Sequence, residues 1–228
     1  MKRIVTIALM LAGTCLFAQK NLIGRVEVSL KLINPPEIEY RRVGEISPKV
    51  QSVNRWLMVK SEFTVKREQA VPKYRGGNMV FAGFADNVIM SVRVLFDTGF
   101  KIGDRGVYCL YTGSTEFYAL QCDGKKHLAV MFIPAKLLDR YSKNKDGSVR
   151  RAGEKEFKAE VVFSRAGKVL DRAYCNISGG SRAFEEECRS VPENLRVVGG
   201  VFPRSRTPWA LFDADNFDLE KDFFRSRD

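Results

Sequence analysis

Four of the five cysteines, one histidine and a short run of aspartates are the residues of this 228-residue chain whose types and spacing could do chemistry. Cys109 and Cys122 form one local couple, Cys175 and Cys188 another, and the partners of each lie thirteen positions apart. In an exported chain such couples predict two local disulfides, each worth about 3 kcal/mol when unstrained. The midpoint of the first couple falls near Thr115 and Glu116, just past the Gly113-Ser114 turn. A bulge or longer loop would be needed there, so cross-sheet pairing stays open. Zinc is disfavoured, because the chain has no Cys-x-x-Cys spacing and a single histidine. No metal or other cofactor is expected.

Nucleophilic catalysis by a Ser-His-Asp or Cys-His arrangement could use only His127, which falls inside a predicted strand as an ordinary polar strand residue would. Neither a Gly-x-Ser-x-Gly elbow nor a phosphate-cradling glycine loop occurs, and Ser178-Gly179-Gly180-Ser181 reads as a turn into a helix. Asp213, Asp215 and Asp218 suggest a cation site, but Phe217 interrupts the alternate spacing and the glycine of a calcium loop is missing, so surface acids are preferred. Trp56, Tyr108, Tyr111, Phe117 and Tyr118 could stack on a carbohydrate. Aromatics on strands more often pack in a core. The expectation is recognition without turnover, with no catalytic residue.

The elements that must position these residues are strands. Val26, Val28, Leu30 and Leu32 alternate with Arg25, Glu27, Ser29 and Lys31, the period of a strand with one buried face. Leu57, Val59, Phe63 and Val65 repeat the pattern, as do Val88 to Phe96 and Leu128 to Phe132. Val107 to Tyr111 and Glu116 to Gln121 read as a hairpin about Gly113-Ser114, and Phe157 to Phe163 pairs with Lys168 to Cys175 across Arg165-Ala166-Gly167. About eight strands predict an all-β fold, an antiparallel immunoglobulin-like β-sandwich. Short connecting helices are expected at Pro134 to Tyr141 and Ser181 to Arg189. Asn34 to Asn54 and Lys66 to Asp86 read as long loops, the first carrying Arg41-Arg42 and the second Arg75.

Residues 1–18 read as an export signal: Lys2 and Arg3, an apolar run from Ile4 to Phe17, and Ala18 before the expected cut. The run is too short to span a bilayer comfortably. A lipoprotein cut at Cys15 fits less well, since Ala12-Gly13-Thr14 lacks the expected leucine and the small residue directly before the cysteine. Residues 19–228 are then one sandwich domain in the periplasm or at the cell surface, with an irregular extension from about 196. The formal charge of +11 falls to +9 once Lys2 and Arg3 are removed. Such a surface suits anionic partners, glycans or lipid headgroups among them, or is merely solvated. It shows no basic cluster interleaved with stacking aromatics, so there is no specific nucleic-acid motif.

The phrases Asn34-Pro35-Pro36-Glu37-Ile38-Glu39-Tyr40-Arg41-Arg42-Val43-Gly44-Glu45-Ile46-Ser47 and Asn54-Arg55-Trp56-Leu57, with Arg206-Thr207-Pro208-Trp209-Ala210-Leu211-Phe212 near the end, resemble exported pilus-like proteins. These are encoded with type IV pilus genes in Verrucomicrobia, the Akkermansia group among them. The resemblance implies an immunoglobulin-like sandwich, an exported location and no catalytic residues. An ordinary type IV pilin keeps a long apolar helix after cleavage, whereas this chain would begin with a strand. Association by β-strand addition is therefore expected, with Gly24, Val26, Val28 and Leu30 as candidate interaction residues beside Arg41, Arg42 and Arg75. Expected partners are pilus or envelope proteins, or a second copy of the chain. The alternatives are an exported glycan- or envelope-binding module and, third, an extracellular hydrolase.

Overall fold

The computed structural model describes residues 22–36, 53–66 and 83–211. The export segment, Arg41, Arg42, Arg75 and the aspartates 213, 215 and 218 lie outside the described residues. The described residues form a two-layer antiparallel sandwich. Its first sheet runs β1-β2-β7-β11, from Ile23–Ile33, Trp56–Val65, Lys126–Ile133 and Phe202–Pro203. The second runs β10-β5-β4-β8-β9, from Arg196–Val198, Arg105–Phe117, Val88–Ile102, Phe157–Arg165 and Lys168–Cys175. A small ribbon pairs β3, Phe84–Ala85, with β6, Leu120–Gln121. Among the described residues only β10 joins in parallel, against Leu110 to Thr112 of β5.

Period-two alternation places the core as expected. Leu57, Val59, Phe63 and Val65 of β2 face Val88, Met90, Val92, Val94 and Phe96 of β4 across the sandwich, all essentially buried. Phe63 sits at its centre, with ring centroids 4.5 Å from Phe163 and 6.3 Å from Phe117. In β1 the phase changes at a bulge between Gly24 and Glu27, where Arg25 takes φ +43°. Ile23 is therefore buried before the bulge, while Val26, Val28, Leu30 and Leu32 turn inward after it.

The Gly113-Ser114 hairpin is corrected. β5 runs straight through those residues, pairing Gly113 with Val92 and Ser114 with Ser91 of β4. The glycine answers a different demand: a Cβ there would collide with the carbonyl oxygen of Val201, which crosses over it. The real turn is Gly103-Asp104, between the paired Ile102 and Arg105, with Gly103 at φ +62°.

Both expected disulfides are corrected as well, since Cys109, Cys122, Cys175 and Cys188 are all free. Eight strand residues carry the chain about 26 Å from Cys109 to Phe117 at ~3.3 Å each. The five residues on to Cys122 can return at most about 17 Å, leaving a gap of about 9 Å, beyond the ~7 Å reach of a disulfide. Cys122 is held at that end by its N–H, which donates to Gly83 O at 2.7 Å. Cys175 and Cys188 have the second sheet between them. Cys175 stands opposite Ala159 and packs into the sandwich, while Cys188 packs on the outer face.

Both helices occur close to their expected bounds, α1 at Ala135–Tyr141 and α2 at Gly180–Ser190. α2 is more than a connector. Its Phe184 and Cys188 cover Leu95 and Leu110 on the outer face of the second sheet, making a second core with Val191. The extension from 196 is also more ordered than expected: β10 extends one sheet, the chain crosses at 199–201, and β11 extends the other. This strap closes the flank opposite β1.

Candidate interaction site

The outer face of the second sheet is divided in two. One part lies under α2, fixed by ion pairs. The Arg93 guanidinium reaches Glu160 and Glu185, its Nε donating to Glu160 Oε2 at 2.5 Å, and Lys158 Nζ meets Glu187 Oε1 at 2.5 Å. Glu160 is 1% exposed and has Arg172 Nη1 at 3.3 Å as a second cation. Burial works against the Arg93 charge, yet Glu185 and Glu160 outweigh it and hold the guanidinium above its ordinary range. The Arg93 hydrogen bond in turn holds the Glu185 carboxyl below the usual glutamate range. The Arg93 guanidinium also lies 5.4 Å from the Phe184 ring centroid.

The other part is an open groove of about 760 Å³. Ser91 and Arg93 of β4 and Thr112 and Ser114 of β5 form its floor, and Val198, Phe202, Pro203 and Arg206 of the strap form one wall. Hydroxyls occupy the floor because outward positions alternate with the buried Val92, Val94 and Tyr111. That arrangement offers hydrogen bonds to a polar or extended ligand. The alternation was present in the sequence. What brings Phe202 and Arg206 beside Ser114 is the strap, a contact of about ninety residues' separation with no local signal.

β1 is an integral strand of its own sheet, paired with β2 from Ile23 to Ile33. Val26, Val28 and Leu30 point into the core, and Gly24 accepts a hydrogen bond from Thr64 Oγ1 at 2.7 Å. Its far edge is blunted by the bulge at Arg25 and by Glu154, whose Oε1 accepts from Leu32 N at 3.1 Å.

His127 is nearly buried, stacked on Phe63 at 5.5 Å, with Nε2 3.4 Å from Asp123 Oδ1. Burial opposes the Asp123 charge, but the Lys125 N–H and His127 outweigh it and lower the carboxyl. A carboxylate orients the ring, and the aromatic of Phe63 lies on its face. The five aromatics are not brought together as a platform. Tyr111 and Phe117 are buried, Tyr108 lies under Lys158, and Trp56 meets Trp209 edge-on at 5.0 Å. Trp209 also stacks on Phe132 at 4.4 Å, which anchors the strap.

Comparison with known proteins bears on the fold. A crystal structure of a protein from Akkermansia muciniphila superposes with a TM-score of 0.53 at 15% identity, over 87% of this chain and 94% of that chain. Identity at that level shows a shared sandwich fold. No family model and no curated protein matches the chain.

Proposed function

We propose that the chain is a non-catalytic, exported, pilus-associated or cell-surface interaction protein. The observation that carries this reading is the extent of the shared fold. The Akkermansia muciniphila chain matches over nearly its full length and over most of this chain. The phrases Asn34 to Ser47 and Arg206 to Phe212 support the pilus association. Because β1 is committed to its own sheet, strand addition through Gly24 to Ile33 would require it to accept a partner strand at its outer edge. Donating β1 to a neighbour would instead expose Ile23, Leu30 and Leu32. Affinity capture from envelope extracts tests the proposal: recovery of pilus secretion or assembly components supports it, and recovery of neither overturns it.

The groove favours a second reading, an exported glycan- or envelope-binding module. Its hydroxyl floor and Phe202 are the kinds of group that bind sugar hydroxyls and stack on sugar faces. Glycan-array binding that is lost in Ser114→Tyr, without any pilus partner, would favour this reading over the first.

A further inference from the structure

β5 is an edge strand wherever the strap does not pair with it. β10 lies beside Leu110 to Thr112, Val201 N then donates to Thr112 O at 3.2 Å, and the chain crosses over Gly113 toward the other sheet. Past that crossing no strand lies beside β5 on this side among the described residues. On its other side β4 stays paired as far as Val88 with Phe117.

The alternation of a strand decides which main-chain groups are left. Thr112 O faces the strap, so the N–H and C=O of Ser114, two residues on, face the same way, while those of Gly113 and Thr115 face β4. Ser114 is exposed, and neither its N–H nor its C=O has a hydrogen-bond partner among the described residues.

The edges at the far flank are blunted. β1 carries the bulge at Arg25 and gives Leu32 N to Glu154, and β9 packs against β1 and carries Lys168, Asp171 and Arg172. At Ser114 the edge opens instead into the groove, where Val198, 87% exposed, and Phe202 line an apolar wall.

These features select the occupant. A strand edge that offers both N–H and C=O pairs with another main chain, which presents the complementary groups at every second residue; a sugar ring offers hydroxyls without that period. From Thr112 to Glu116 the edge runs about 13 Å at ~3.3 Å per residue, the length of about four or five extended residues. The strap stands along one side, so a slender extended segment enters where the edge of a second folded sandwich would meet Val198 and Phe202.

We propose that this stretch of β5 is an acceptor edge for an extended peptide segment of a partner protein, which lies in the groove and pairs with the main chain of Ser114. The second sheet is then continued past the point where the strap leaves it. This rests on the reading of the chain as an interaction protein and names how the partner is held.

The probe is a phage-displayed library of short linear peptides, selected on the full mature chain, with the tightest peptide then synthesised and titrated by calorimetry. Ser114→Ala removes the hydroxyl and keeps the N–H, so binding should stay within about twofold of wild type. Ser114→Pro removes the N–H and should weaken binding about tenfold or more, with melting unchanged because proline is tolerated where an edge N–H points outward. Bound peptide should also slow hydrogen exchange at the Ser114 amide of the wild-type protein, a readout that stands even if the proline variant misfolds. Strand addition is overturned if no peptide is selected, if Ser114 exchange is unchanged, or if Ser114→Pro binds as wild type does. Equal loss in Ser114→Ala and Ser114→Pro would mean side-chain recognition and overturns it too. Affinity capture from envelope extracts with the same variants separates this from the wider reading. Pilus components held by wild type and Ser114→Ala but lost in Ser114→Pro support the acceptor edge, and equal capture by all three overturns it while pilus association stands. Capture of none by wild type overturns pilus association, with the titration still deciding the edge.

Discussion

β4 and β5 pass through two environments in one continuous ribbon. From Val88 to Phe96 every second residue of β4 is buried in the sandwich, with β8 on one side and β5 on the other. Beyond Asp97 the same two strands continue past their pairing with β8 and β10, and Phe100 and Ile102 are turned to solvent. Similar side chains thus do different work within a few residues. In the first stretch they hold the layers together; in the second they contribute little to stability.

Truncation within the ribbon and across from it should separate the two. Phe63→Ala removes a fully buried ring packed on Phe163, Phe117 and His127, and should cost about 3–5 kcal/mol in urea unfolding. Ile102→Ser should stay within about 0.5 kcal/mol of wild type, as exposed positions do. A large loss at Ile102 would mean that this end of the ribbon packs in solution and would undo the contrast.

The outer face of the second sheet sharpens the comparison electrostatically. Arg93→Met leaves the Glu160 carboxylate, 1% exposed, with Arg172 alone. The expected loss is roughly 2 kcal/mol, below that for a fully buried pair because both arginines are partly solvated. The same substitution should change the acid limb. Glu185 is held below the usual glutamate range by its Arg93 hydrogen bond, so it binds a proton more readily unfolded than folded. Its stabilisation is complete above the ordinary glutamate range and is lost as pH falls through the lowered value. Wild type should therefore lose stability more steeply in acid than Arg93→Met, measured by melting temperature against pH.

Between these lies the strap. Gly113→Ala places a methyl against the Val201 carbonyl and should displace the crossing that links β10 to β11, at a cost of about 1–3 kcal/mol. Displacement should also loosen Trp209 from Phe132 and Trp56, visible as a shift in tryptophan emission. Val198→Ser, at a position 87% exposed on the same strap, should change neither measurement.

Much of the sandwich was legible because its alternation is local. Leu57 to Val65 and Val88 to Phe96 state their buried faces residue by residue. What failed was set by contacts distant in sequence. Gly113-Ser114 looks like a turn within its own neighbourhood, and only Val201 explains why the glycine lies inside a strand. The bulge at Arg25 was hidden because Gly24 fits either phase of the alternation. Of the candidate site, the polar outward positions Ser91, Thr112 and Ser114 were readable, but the strap that walls them was not. The end of the β4–β5 ribbon has a local cue: Ile102-Gly103-Asp104-Arg105 has a two-residue glycine-aspartate turn between residues that pair.

The cysteines give the smallest expected effect and a sharp test of topology. Thirteen-residue spacing in an exported chain argued for two crosslinks, whereas an unbroken β5 and an intervening sheet keep both couples apart. Burial pushes the Cys109 thiol up to about 12 and the Cys188 thiol up to about 11, so neither is primed as a nucleophile at neutral pH. Added reductant should leave the urea midpoint of the mature protein unchanged, where two disulfides would have contributed about 3 kcal/mol each. A thiol reagent should modify the half-buried Cys175 slowly in the folded protein and reach Cys109, Cys122 and Cys188 only on unfolding. Fewer than four thiols in denatured, unreduced protein, or a midpoint that falls with reductant, would mean that α2 or β5 is placed differently. It would then join the two cores that the second sheet holds apart.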